Sequence, residues 1–317
     1  MSTPSVIVLA LPSVEQIDYY HDFFDDIVMF CERFVAATHP QDIALIVVDE
    51  DTYPDVADYL PSENLRIGHI PDIWIRDFAP IRTRAGNFQF RYTPQYLDRD
   101  ESDWVETEFK RWFDETGLSV KSIPLILDGG NFNYNGYDRA ITTERLLVDN
   151  PDYTRQEILS ILKETLGLSH IALLPEVPGD VTGHSDGMVK WLDRHCVAVS
   201  SYPEPLRTQV MRALKAGLGN DITLIEFPYV PEEEMHVDGW PSAKGVYVNA
   251  LTTPYAIYIP HFGLAEDVMA TNLYQQYATK PVIPVKVGKE VDLGGTVRCL
   301  TWAVEGVDAQ QLLKTLR

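Results

Sequence analysis

"SVIVLALPSVEQIDYYHDFFDDIVMFCERFVAATHPQDIALIVVDE", Ser5–Glu50, sets the fold class. Its first seven residues form an apolar run of strand length. "EQIDYYHDFFDDIVMFCERFVAA" then returns apolar residues every three or four positions, the period of a helix with one buried face. "IALIVVDE" closes the unit with another run of the kind buried strands give. Strand, amphipathic helix and strand in that order describe an α/β chain. The alternation continues with helical patterns at "WVETEFKRWFDET", "TRQEILSILKETLG", "EPLRTQVMRALKAGLG" and "AEDVMATNLYQQYA". In the second of these, Thr154 and Glu157 stand at capping-box spacing. Strands are expected at "CVAVSSY", "GVYVNALTTPYAIYIP" and "TVRCLTWAV".

The chain has 317 residues, 45% hydrophobic and 23% charged, a globular composition that excludes disorder and collagen. No low-complexity linker divides it, so one domain over 1–317 is expected, with "PEEEMHVDGWPSAKG", Pro231–Gly245, as a mobile surface loop. With 26 Lys+Arg against 47 Asp+Glu the net charge is −21. That balance argues against nucleic acid as a partner and suits both a well-solvated surface and a cationic substrate. Cys31, Cys196 and Cys299 are widely spaced and odd in number, which indicates neither a disulfide framework nor a zinc knuckle and fits a reducing, cytoplasmic setting. The apolar run Val6–Leu11 is too short to span a bilayer and has no basic residues before it, so no membrane partner is expected.

Five polar motifs recur at broadly similar intervals: "WIRDFAP" around Asp77, "LDGGN" from Leu127, "GHSDG" from Gly183, "YVNAL" around Asn249, and "GGTVRC" ending at Cys299. Each lies in or after a strand-like run that follows a helical one. Such spacing is expected when repeated ββαβ-type units each donate a residue to a common centre.

His184 and Asp186 are two apart, so on an extended run both side chains leave one face; a solvated turn between Gly183 and Gly187 accounts for them equally well. Trp74 precedes Asp77 by three residues. A ring face beside a carboxylate holds a flat cation, whereas the plainer account is a core tryptophan with a local Arg76–Asp77 ion pair. Asp128, ahead of two glycines, either orients His184 or sits in an ordinary turn; no phosphate-loop spacing follows. Cys299 alone reads as a small buried hydrophobe. Taken together, thiol, imidazole and carboxylates suit attack of a thiolate on an electrophilic carbon, with a cation held between acids that would otherwise repel.

In this order the five motifs, with "IPHFG" after "YVNAL" and Leu300–Thr301 after Cys299, resemble the agmatine deiminase and bacterial peptidylarginine deiminase family of the guanidine-modifying, or pentein, superfamily. The resemblance runs from about Ile70 to Trp302. It implies a five-bladed, pseudo-fivefold α/β propeller. It implies Cys299 as nucleophile, His184 as general acid and base, Asp77 and Asp186 as guanidinium-binding carboxylates, Asp128 as orienter of the histidine, and Asn249 beside the cysteine. The reaction it implies passes through an S-alkylthiouronium to a ureido product and ammonia, with no metal and no organic cofactor. The implied partner is a small cationic guanidine or an arginine-containing peptide, and a homodimer is left open.

Two departures stand out: Arg298 where the family usually has histidine before the cysteine, and Asp128 where it usually has glutamate. On a regular strand Arg298 points away from Cys299, a neighbour that could pair with acids of the loop from Pro231. Trp302, where a polar residue is common, is expected to alter the thiol's surroundings. Arg91 in "FQFRYTPQYL" is the single candidate for binding a substrate carboxylate. An amidinotransferase, a dimethylarginine-type hydrolase, or a propeller that binds guanidines or proteins without turnover are the alternatives.

Overall fold

The computed structural model describes residues 4–232 and 239–316. The centre of the expected loop, 233–238, lies outside the described residues. The chain forms five small sheets on one plan. In each, a short strand runs antiparallel to a middle strand, which pairs in parallel with a further one; Val189–Trp191, Cys196–Ser200 and Thr223–Phe227 show the pattern. A parallel pair needs a crossover rather than a tight turn. The helices Phe24–Ala37, Arg99–Glu115, Arg155–Leu166, Leu206–Leu218 and Glu266–Tyr277 supply one for each sheet.

This is the expected five-bladed α/β propeller. Its short strands Ile81–Thr83, Asn133–Tyr134, Val189–Trp191, Leu251–Thr252 and Trp302–Glu305 all contribute to the wall of one cavity, which places them around a common axis. Both chain ends build one blade. Ser5–Ala10 pairs with Trp302–Glu305 from Ser5↔Glu305 to Val8↔Trp302, and on its other side with Asp42–Val48.

Local chemistry fits these elements. Ser5–Ala10 is buried along its whole length, as a strand covered on both faces must be, which explains its unbroken apolar run. The predicted capping box is present: Thr154 Oγ1 accepts from Glu157 N while Glu157 Oε2 accepts from Thr154 N. Gly167 ends that helix at φ +70°, where a side chain would be strained. Among the described residues no helix is long and apolar enough to cross a membrane.

Two strand expectations are too long. "TVRCLTWAV" is strand only from Trp302; before it the chain makes a helical turn, with Leu300 N donating to Thr296 O at 3.1 Å. "GVYVNALTTPYAIYIP" is strand only at Leu251–Thr252 and from Ile257 onward, with one isolated bridge from Val246 to Tyr229. The reason lies in the backbone donors, which find partners other than a ladder. Arg298 N, for example, donates to the Asn249 side-chain oxygen at 3.0 Å.

Candidate active site

Each blade delivers its motif in the irregular segment just before the short strand. Asp77 lies in the helical turn Ile75–Phe78, ahead of Ile81–Thr83. Asp128 precedes the turn Gly129–Asn131, and Asp186 sits in the turn Ser185–Gly187, with His184 extended at its entrance. Asn249 and Cys299 occupy the equivalent places before Leu251 and Trp302. His184 and Asp186 therefore share a turn and not an extended run, and they converge by backbone curvature rather than by pleat.

Six expected residues meet there, and all are buried. His184 Nε2 is 3.0 Å from Asp128 Oδ2, and its Nδ1 is 3.7 Å from Asp77 Oδ1. Asn249 Nδ2 donates to Cys299 Sγ at 3.1 Å, and Sγ lies 3.7 Å from Asp186 Oδ2. Gly130 N donates to Asp77 Oδ1 at 2.9 Å. Glycine is required at 130, because a Cβ would fall 2.5 Å from Asp77 Oδ1 and against the His184 ring. At Gly295 a Cβ would collide with the Trp74 ring and lie 3.0 Å from Cys299 Cβ, so the tryptophan wall closes directly on the thiol's turn.

Arg298 overturns the expectation of a bystander. Because Cys299 stands on a turn and not a strand, the neighbouring side chain swings beneath the site. Its Nη1 donates to Asp186 Oδ2 at 2.6 Å, and its Nη2 to Phe132 O at 2.9 Å and Gly129 O at 3.2 Å. The acid it pairs with is thus Asp186, not one from the loop after Pro231. Trp302 is displaced from the thiol as well: its indole N–H donates to Pro80 O at 3.1 Å and its ring packs on Phe109 and Phe113. Arg76 makes no ion pair with Asp77; its Nε donates to Arg298 O at 3.4 Å.

The charges here are strongly perturbed. Burial alone would lower the His184 pKa, but the carboxylates of Asp77, Asp128 and Asp186 outweigh it and lift the ring to about 10. Burial, with Asp128 and Asp186 beside it, raises Asp77 to about 7 despite the pull of His184. Burial, then the carboxylates of Asp186 and Asp77, push the Cys299 thiol well above its usual value. At neutral pH the empty site therefore holds an imidazolium and a protonated thiol.

Trp74, Asp77, His184, Asp186, Asn249 and Cys299 open into one cavity of about 1010 Å³. Its described lining includes Glu15, Asp72, Glu101, Asp180 and Glu232 in addition to the site acids, and no lysine or arginine. Arg91 does not join it: alternation along its strand buries Phe88 and Phe90 and leaves Arg91 exposed on the other side. Sequence reasoning missed the acidic wall and the floor arginine. Glu15, Asp49 and His69 bring three potential metal-ligand atoms within 4.8 Å of one another, but Asp49 already accepts from Val14 N at 2.8 Å and faces His69 Nδ1 at 2.9 Å.

Residues 2–304 match the model of the Porphyromonas-type peptidyl-arginine deiminase family. The agmatine deiminases of Pseudomonas fluorescens and Ectopseudomonas mendocina are 25% and 23% identical to the chain over 298 and 304 residues, each across 81% of this chain and 81% of its own. The solved structure of the C. jejuni agmatine deiminase superposes with a TM-score of 0.77 at 19% identity, over 95% of this chain and 93% of that one, so the fold is shared.

Proposed function

The chain belongs to the Porphyromonas-type peptidyl-arginine deiminase family, and from that premise we propose that it is a cysteine-dependent guanidine deiminase whose substrate is agmatine. The observation that carries the substrate is the cavity wall, rich in carboxylates and, beyond His184, without a described lysine or arginine. Agmatine ends in an amine, which such a wall attracts; the carboxylate of a C-terminal arginine peptide has no described lysine or arginine there to meet it.

Cys299 is the nucleophile in this reading, and Asp77 and Asp186 hold the guanidinium. The incoming cation offsets the acids that keep the thiol protonated and so favours the thiolate, the thiol's proton passing to solvent because His184 is already charged. Sulfur attacks the guanidinium carbon. His184, charged before the substrate enters, gives its proton to the departing ammonia, leaving an S-alkylthiouronium. It then takes a proton from water, whose oxygen displaces the sulfur and yields the ureido product. Asp128 steadies the imidazole through Nε2, and Asn249 fixes the sulfur.

The test is a side-by-side assay of agmatine, free arginine and a C-terminal arginine peptide for ammonia and ureido product. Agmatine is expected to turn over fastest, and Cys299→Ala to release no ammonia. Absence of ureido product from all three, or full activity in Cys299→Ala, would overturn the reading.

A further inference from the structure

We propose that a second cavity of the propeller, lined by the short strands of all five blades, is a binding site for a small multivalent oxyanion of the phosphate type. The Cys299 cavity takes Asp77, His184, Asp186, Asn249 and Cys299 from the segments before those strands, whereas this one takes residues of the strands themselves, with Arg76, Gly129, Phe132 and Arg298 from just before them. The two share no lining residue, and Arg298 in the wall of this one pairs with Asp186 in the wall of the other. The second has a volume of about 850 Å³, within the range of small-molecule sites.

Its charge is opposite to that of the chain. Seven arginine and lysine side chains line it against two carboxylates, Asp193 and Glu305, in a protein whose net charge is −21. Random surface composition would give the reverse. At its base are Arg76, Lys190, Lys280 and Arg298. Lys190 is 7% exposed and donates to Ala250 O at 2.5 Å, while Lys280 donates to Thr253 O. Among the described residues no carboxylate lies within ion-pair distance of Arg76, Lys190 or Lys280. Of these three only Lys190 is buried, and a buried cation normally has a counter-charge. Burial, then the neighbouring Arg298 and Arg76, holds the Lys190 ammonium well below its usual pKa, a strain that an anion would relieve.

The rim is ordered in advance. Arg84 lies 5.2 Å and Arg194 4.6 Å from the Tyr137 ring centroid, and Arg194 Nη2 is also 4.0 Å from Asp138 Oδ1. Planar guanidinium forks above a floor of point charges suit tetrahedral oxyanions carrying more than one charge.

Titration calorimetry of the full chain with inorganic diphosphate tests this, with malonate in a parallel arm. Saturable binding of one diphosphate per chain is expected, weakened at least tenfold in the Arg84→Ala/Arg194→Ala double variant. Both residues are exposed, so the variant is expected to fold. No saturable binding, or equal affinity in the double variant, overturns the site; malonate binding as tightly as diphosphate overturns the phosphate assignment. The readout is binding and not turnover, so it stands or falls separately from the deiminase reading.

Discussion

Arg298 Nη1 and Cys299 Sγ converge on one atom, Asp186 Oδ2, from 2.6 and 3.7 Å. The guanidinium also reaches Gly129 O, Gly130 O and Phe132 O. One side chain thus ties the cysteine turn to the acid it works beside and to the blade that carries Asp128. It fixes the orientation of the carboxylate that, in the proposed function, receives a second, incoming guanidinium.

Removing that tie is expected to cost stability as well as binding. Arg298→Ala leaves Asp186 buried without its cation and removes the guanidinium's bonds to the Gly129, Gly130 and Phe132 carbonyls, a loss of about 3–5 kcal/mol for a broken buried pair. Arg298→Lys keeps the charge but lacks the fork, so it falls between the two. Denaturant unfolding midpoints give the order, and a raised KM in Arg298→Lys with its fold intact separates positioning from folding. Wild-type stability in Arg298→Ala would show that the pair is energetically idle.

Gly130 sets the spacing between acid and base. A Cβ there would lie 2.5 Å from Asp77 Oδ1 and against His184, whereas at Gly187 the nearest atom to a Cβ is Val246 Cγ1 at 3.7 Å. Gly130→Ala is expected to lower kcat by about 100-fold, the scale of an ångström's misplacement in a catalytic group. Gly187→Ala should be mild. Turnover of both variants, with near-ultraviolet circular dichroism to confirm folding, makes the comparison.

The state of the thiol can be read chemically. Because burial and the acids of the site hold Cys299 protonated, iodoacetamide should label it slowly at pH 7 and faster as pH rises. Chloroacetamidine carries its own positive charge into the acid pocket and should label it much faster at pH 7. Peptide mapping distinguishes Cys299 from the buried Cys31 and Cys196. Equal rates for the two reagents at pH 7 would show that the pocket's charge does not act on the sulfur.

The five-unit plan was legible because every blade repeats a helical period followed by an apolar run, and because its polar motif falls at a constant place in the unit. Periodicity could not tell where each strand stopped. Val297 to Trp302 alternates like a strand, yet Thr296–Thr301 turns because the Asn249 side chain and local carbonyls take its backbone groups. That single misplacement hid Arg298, since the direction of its side chain depends on turn or strand. The acidic wall was illegible for another reason: Glu15, Glu101 and Asp180 come from segments distant in sequence, and only tertiary structure gathers them. Arg91 failed on the pleat: it alternates with the buried Phe88 and Phe90 and so stands on the exposed side of its strand.

Stability against pH should carry the signature of His184. Its folded-state pKa of about 10 lies above the ordinary 6.5, so between those values the folded protein binds the proton and the unfolded chain releases it. The contribution is therefore complete below pH 6.5 and is lost as pH rises through 10. Asp77, raised from 3.8 to about 7 by burial, works in the same direction at lower pH: its ionisation costs stability as pH rises through that window. Melting temperature from pH 7 to 10 is expected to fall in the wild type and to fall less in His184→Gln, so the gap between the two curves narrows or reverses toward alkaline pH. A constant gap across the range would mean that the imidazole is neutral in the folded state, and with it the proton for the departing ammonia would have to come from elsewhere.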